Sequence, residues 1–508
     1  MYPFARAVAL CRQRRAFVTT GLLVLLCLLP VLLYLPFLNA PFERDESVYA
    51  IIARGLLNGQ IPYRDLFDNK PPLVFGWYAL AFAVFGEDDI APRLVAALLL
   101  SLTTLTLFAE ASLLFSRRVA YLAAAAFALS TGLPFVALHS NTEAYMLLPM
   151  VASLLAFTLG VRSGRLGWFL AAGVLGALSV MTKQVALWNL AALALTAGIW
   201  GWRSRNPVIG RAAPLVFLAA GTAGAMALIA SPFFAAGALG DMAYANLSYN
   251  GLYIAALTFG DRALNLAAGG AFVFAIAAPL LAAASVGLVK LLLRRKRALD
   301  YLLVAWAAGS IAGIAMAGRF YPHYFLQALP AAAVLAALLA AEYLPGRGSK
   351  RAPRSVLLAV TAFSVLALVT NSALYLAPRR SEQRVAADTF YHRQWAENSE
   401  FLGAYIAAHT TPDDTIFNLG RESQIYFYAD RRPAARYFYD YVYSYDPEIV
   451  GLTIDALRAE KPVYIIDSIQ PPLFQPSDRP PEFDRLLSED YNYEGHVYFA
   501  DLYRRKAK

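Results

Sequence analysis

Charge is what this sequence has least of. Only 16% of its 508 residues are Asp, Glu, Lys or Arg, against 59% hydrophobic residues and a mean hydropathy of +0.49. A soluble globular domain carries roughly a quarter of its residues charged, so that class is excluded. Cysteine is nearly absent: Cys11 and Cys27 both lie at the N-terminal end. Segments further along therefore hold no disulfide and no cysteine metal site. Histidine is scarce too, with five residues and no HExxH or comparable ligand spacing. No internal repeat, low-complexity tract or glycine-rich phosphate loop stands out. The net charge of +9 does not point to nucleic acid, because the basic residues sit in short loops between apolar runs.

What is present is a series of charge-free windows of membrane-spanning length. Eleven are expected as spans, at 17–38, 94–115, 119–137, 144–161, 166–182, 184–202, 212–234, 264–289, 301–318, 323–341 and 355–377. Arg12, Arg14 and Arg15 precede the first, which has no clear cleavage site and reads as a retained span rather than a signal peptide. A twelfth window, 71–86, is short for roughly 30 Å of hydrocarbon. If it lies along the surface and the N-terminus is cytoplasmic, the basic clusters at 117–118, 162–165, 203–211, 290–297 and 347–354 all fall inside. If it crosses, all fall outside. The positive-inside rule selects the first arrangement. The expected protein is thus a polytopic α-helical membrane protein of about 11 transmembrane helices. Residues 39–93 form a large external loop within a membrane domain 1–377, and 378–508 lie outside.

That tail is polar and rich in tyrosine, as in Tyr437, Tyr439, Tyr441, Tyr443 and Tyr445. Thr415 to Leu419 and Pro462 to Asp467 read as strands, Ile449 to Ala459 as a helix, and His496 to Tyr503 as a final strand. Strand, helix, strand implies a small extracytoplasmic α/β domain of roughly 110 residues.

The external loop holds the densest chemistry: PFERDESVYAIIARGLLNGQIPYRDLFDNKPP, Pro41 to Pro72. Val48, Ile51, Ile52 and Leu56 follow helical spacing, and Gly59 marks the helix stop. Asp45 and Glu46 open this helix. Adjacent acids are ordinarily a solvated loop, but against a membrane surface a carboxylate is partly desolvated and suits a general base. Lys70 precedes two prolines that start the next helix, a place that favours an anion such as phosphate. A headgroup-snorkelling lysine is the competing explanation. Glu143, in SNTEAYMLLP, is either a first-turn acid at a capped helix or a second acid of the site. Arg319, His323 and Tyr324, in GRFYPHYFLQALP, make a better phosphate clamp than an aromatic belt. His139 reads as structural. Lys183 can snorkel or reach a lipid phosphate, and Glu110 can meet Arg117 or Arg118.

Together RDESVYAIIARGLLNGQ, NKPPLVFGWYALAFAVFG, APRL at 91–94, SNTEAYMLLP and GRFYPHYFLQALP resemble the GT-C glycosyltransferases. The likeness is to the protein O-mannosyltransferase and lipid A aminoarabinose transferase branch, and it covers roughly 15–345. It implies a GT-C fold and transfer of a sugar from a polyprenyl-phosphate donor to a lipid, glycan or protein acceptor at the outer face of the cytoplasmic membrane. It implies Asp45 as base or acceptor-orienting group, with Glu143 as a second external acid. Lys70 falls near the donor phosphate, and Arg319 and His323 lie around the donor head. Asn69 stands where the aminoarabinose transferases carry a metal-binding glutamate, which calls a divalent metal into question. No cofactor is expected, and Lys70 with Arg319 is left to balance the phosphate charge. A transporter or flippase of lipid-linked sugars is the alternative. It would place ionisable groups at mid-membrane, whereas here charge gathers at one surface.

Overall fold

The computed structural model describes residues 2–133, 136, 139–203, 212–293, 298–343, 393–443, 445–468 and 480–507. The helices run, in chain order, α1 Tyr2–Tyr34, α2 Arg44–Leu57, α3 Leu73–Phe85, α4 Ile90–Leu114, α5 Arg117–Ser130, α6 Thr142–Ser163, α7 Leu166–Val180 and α8 Leu187–Arg203. They continue with α9 Ala213–Ala235, α10 Phe259–Leu293, α11 Ala298–Met316, α12 Leu329–Tyr343, α13 Arg393–Ala408, α14 Gln424–Ala429, α15 Glu448–Glu460 and α16 Pro481–Asp490. The strands are β1 Thr415–Asn418, β2 Arg432–Pro433, β3 Tyr464–Asp467, β4 Tyr491–Val497 and β5 Ala500–Arg505.

Eight helices among the described residues are long and apolar enough to cross a membrane, and each coincides with an expected span. Two further expected spans are shorter helices: α5, with 14 residues, and α7, with 15. The eleventh, 355–377, lies outside the described residues, as do the basic stretches 204–211, 294–297 and 347–354. Helix α3 has 13 residues. At 1.5 Å per residue it reaches about 20 Å, against about 21–23 Å for α5 and α7.

The chain forms two compact units. The first comprises 1–38, 93–227 and 261–376; the second comprises 39–92, 228–260 and 377–508. In this division the loop 39–92 and the segment 228–260 group with the tail.

The first unit is a helical bundle in which α6 packs on α7, α12 on α5, and α11 on α8. Small residues permit close approach where no water drives association. A Cβ on Gly173 of α7 would sit 2.1 Å from the Leu218 carbonyl of α9, and one on Gly221 would sit 2.1 Å from that of Leu170. The two backbones touch through reciprocal glycines. Inside the bundle Thr158 donates to the Glu110 carboxylate at 2.7 Å. Glu110 thus turns inward to α6, not to Arg117 or Arg118.

The second unit contains a five-stranded sheet in the order β2-β1-β3-β5-β4. Strand β1 runs parallel to β2 and β3, while β5 runs antiparallel to β3 and β4. This is the α/β domain expected from the tail. The final segment differs: His496 to Tyr503 is not one strand but a hairpin turn, with Val497 paired to Ala500. Tyr498 adopts φ 58°, a left-handed conformation that residue alternation does not announce.

Two other segments fold onto this sheet domain. Helix α2 packs against α3 and α14. Phe67, Tyr244, Tyr249 and Tyr437 form a ring cluster with centroids 5.0–6.4 Å apart in contacting pairs. Of the tail tyrosines, Tyr437 joins this cluster, and Tyr439 and Tyr443 are buried as well.

Candidate functional site

Helix α2 begins with a capping box. The Glu43 carboxylate accepts from the Asp45 N–H at 3.1 Å, and the Glu46 carboxylate accepts from the Glu43 N–H at 2.8 Å. This arrangement satisfies donors that the first helical turn leaves open. Glu46 is buried and engaged in this way, which gives it a structural task. Burial and the neighbouring charges of Asp45 and Glu46 push the Glu43 carboxyl well above the ordinary carboxylate range. The helix ends at Leu57, with Gly59 at φ 84°, where the sequence put the stop. Val48, Ile51 and Ile52 are buried as expected, whereas Leu56 is exposed; Tyr49, Ala50 and Ala53 complete the buried face.

Asp45 is half-buried on this first turn. Among the described residues its carboxylate makes no hydrogen bond or ion pair. Four other acids of the unit are engaged. Asp65 pairs with Arg64 at 2.8 Å. Asp68 accepts from the Tyr439 hydroxyl at 2.8 Å. Glu422 holds Arg44, with Nε to Oε1 at 2.9 Å. Asp440 pairs with Arg421 at 3.2 Å.

Lys70 lies two residues ahead of the Pro72 N-cap of α3, as the prolines suggest. Its carbonyl accepts from the Tyr63 hydroxyl at 2.8 Å, and its ammonium donates to Asn69 Oδ1 at 2.9 Å. Tyr63 is itself left-handed, at φ 71°. Such a conformation costs free energy and persists where surroundings over-determine it; here the ring is fully buried against Phe75 and Phe233. Asn250 then ties the neighbouring residue, donating to the Asn69 carbonyl at 2.8 Å and accepting from its amide at 3.0 Å. Asn250 follows a π-helical turn, Tyr244–Tyr249, and also donates to the Ala245 and Asn246 carbonyls. A π turn misaligns backbone bonds and recurs at functional sites.

The Asn69 amide is therefore committed to Asn250 and Lys70. Among the described residues no group of three His, Cys, Asp or Glu side chains is placed to hold a metal ion. The residues at the position of the aminoarabinose transferases' metal-binding glutamate do not fit that ion.

The first unit holds the other expected residues. Glu143 stands in the first turn of α6, but Asn141 and Thr142 do not cap that helix through their side chains. Thr142 donates instead to Glu143 Oε2 at 3.0 Å. The other carboxylate oxygen forms a buried ion pair with Lys183. The Lys183 ammonium also lies 4.2 Å from the centre of the Tyr324 ring. Tyr321 and His323 stack at 5.8 Å, and Tyr324 stands edge-on to both. Arg319 is buried in the turn after α11, between Gly318 at φ 67° and Phe320 at φ 49°. Glu143, His323 and Tyr324 are thus brought into one cluster, with Lys183 as the cation that sequence reasoning left without a partner.

Other residues had no sequence signal at all. Tyr439, Glu422, Ser423 and Asn250 reach the 44–70 segment from 181 to 379 positions away.

Residues 69–222 match the family model of dolichyl-phosphate-mannose-protein mannosyltransferases. No curated protein matches the sequence. The fold resembles that of ArnT from Cupriavidus metallidurans bound to undecaprenyl phosphate, with TM-score 0.59 and 17% identity, over 96% of this chain and 98% of that one. The apo state of ArnT gives TM-score 0.60 over the same shares. An Archaeoglobus fulgidus oligosaccharyltransferase tethered to an acceptor peptide gives TM-score 0.51 and 15% identity, over 88% of this chain and 68% of that one. The matched segment, the membrane-spanning helices and the agreement along nearly the whole chain lead to one conclusion: this protein has the GT-C glycosyltransferase fold.

Proposed function

We propose that the protein is a membrane glycosyltransferase that moves a sugar from a polyprenyl-phosphate donor to a hydroxyl of a lipid, glycan or protein acceptor at the outer face of the cytoplasmic membrane. The family match and the fold support a lipid-phosphate sugar donor. The observation that carries the assignment of the base is the state of Asp45: a half-buried carboxylate without a hydrogen bond or ion pair among the described residues, while Glu43, Glu46, Asp68 and Glu422 each hold a partner.

Asp45 takes the proton of the acceptor hydroxyl. The oxygen forms a bond to the anomeric carbon as the bond from that carbon to the phosphate oxygen breaks. The electron pair leaves with polyprenyl phosphate. A single displacement inverts the anomeric centre. Cations around the phosphate stabilise the charge that develops on the leaving group. Lys70 is proposed for this task, and so is Arg319, assisted by His323 and Tyr324. Glu143 is neutralised by Lys183 and is assigned to hold that cation rather than to compete as base.

Purified protein in detergent, supplied with a polyprenyl-phosphate sugar and a hydroxyl acceptor, should release polyprenyl phosphate. A flippase would release none, since detergent leaves no second membrane face. No release with any lipid-linked sugar, from folded protein, would overturn the proposal.

A further inference from the structure

The start of α2 is held by more bonds than a helix terminus needs. Its capping box already supplies local partners. Three further connections run to the segment 422–428. Arg44 donates through two nitrogens to Glu422 Oε1, the Nε bond measuring 2.9 Å. The Ser47 and Ser423 hydroxyl oxygens lie 2.6 Å apart, both fully buried, and Ser423 also donates to the Arg44 carbonyl at 3.2 Å. The Phe42 N–H donates to the Tyr428 hydroxyl at 2.7 Å. These contacts fall at positions 42, 44 and 47, on both sides of Asp45. The Glu422 side chain is 1% exposed. A carboxylate buried to that degree is kept only with a well-placed partner, and here the partner is the residue next to the proposed base.

A base that must meet a hydroxyl at hydrogen-bond distance gains from a fixed backbone, because small misplacements are costly. Among the described residues Asp45 has no side-chain bond of its own to fix it. Its direction comes from the turn that carries it. We propose that the C-terminal domain is a positioning part of the transfer site: Glu422 and Ser423 hold the first turn of α2 and thereby aim Asp45. This rests on the reading of Asp45 as the base.

The test uses the full-length protein with Cys11 and Cys27 replaced by serine. Glu422→Gln keeps the side-chain shape and removes the charge that holds Arg44. Its kcat should fall roughly 10–100-fold, as misaimed groups do, with the KM for donor unchanged and the protein folded at the assay temperature. Ser47→Cys with Ser423→Cys then replaces a hydroxyl contact by a disulfide between the same positions. Added to Glu422→Gln, the oxidised form should regain kcat, and reduction should lose it again. Unchanged kcat in folded Glu422→Gln would overturn the proposal. So would failure of the disulfide to form, or an oxidised form no faster than the reduced one. Asp45→Asn separates the two ideas. If Asp45→Asn is inactive while Glu422→Gln is normal, only the positioning role falls. If Asp45→Asn is active, the base assignment falls and the positioning role with it.

Discussion

Asp45 and Glu46 are adjacent acids, and the structure gives them unequal work. Glu46 closes the capping box, a task that glutamine performs as well. Glu46→Gln should therefore leave both stability and turnover close to normal. Asp45→Asn retains the shape of the side chain but lacks the basic oxygen. Turnover should drop by about 10²–10⁴-fold, the usual worth of general-base assistance, while donor binding persists. Near-normal turnover in Asp45→Asn would end the assignment. The phosphate groups differ in what they should lose: Lys70→Met and Arg319→Met should each weaken donor affinity in folded protein. Unchanged affinity in both would return Lys70 to its other explanation, an interfacial lysine. Asp440 titrates in a useful range. Burial raises its carboxyl to about 6 against the pull of Arg421. A carboxyl raised in the folded state favours the protonated form. The stability it contributes is complete below its unfolded value near 4 and is lost as pH rises through about 6, an effect of about 2–3 kcal/mol. Hydrogen-exchange protection over 415–443, relative to the intrinsic rate at each pH, should fall between pH 4.5 and 7, and Asp440→Asn should flatten that slope. An identical slope in the variant would assign the effect elsewhere, for instance to Glu43.

At the level of elements, what is local was legible. The hydrophobic spacing and Gly59 defined α2, and the two prolines placed Lys70 ahead of α3, because both depend on neighbours a few residues away. The hairpin at Tyr498 was not legible, since a left-handed tyrosine carries no sequence mark. Glu143 shows the same limit. Its position at a helix start suggested a capped first turn, yet its partner is Lys183, 40 residues on. Burying one charge without the other is far more costly than burying neither. Glu143→Gln or Lys183→Met alone should each destabilise the protein by about 3–5 kcal/mol, whereas the double variant should recover much of the loss. Thermal unfolding of the three proteins in detergent checks this. Additive losses in the double variant would show that the two residues do not act as a pair.

At the scale of the molecule, eight of the eleven expected spans were readable as membrane-length helices among the described residues, and the grouping of the remaining segments was not readable. A charge-free window announces a membrane helix by itself. Nothing in the sequence joins 39–92 and 228–260 to the tail, because their contacts, such as Phe42 with Tyr428 and Asn69 with Asn250, link distant positions. That grouping bears on orientation. The loops of the second unit fold together, so they are expected on the same side of the membrane. The basic clusters all fall in the stretches between those segments, and the positive-inside rule assigns them to the cytoplasm. The expected topology has the N-terminus and the 117–118 loop inside, and the loops 39–93 and 235–263 and the tail outside. Single cysteines test it in a background without Cys11 and Cys27. Arg117→Cys marks one side; Leu452→Cys, on an exposed face of α15, marks the other. An impermeant maleimide added to intact cells should label position 452 at once and position 117 only after the membrane is opened. Labelling of 117 but not 452 from outside would invert the topology, move the 44–70 segment to the cytoplasmic face, and require a donor presented there.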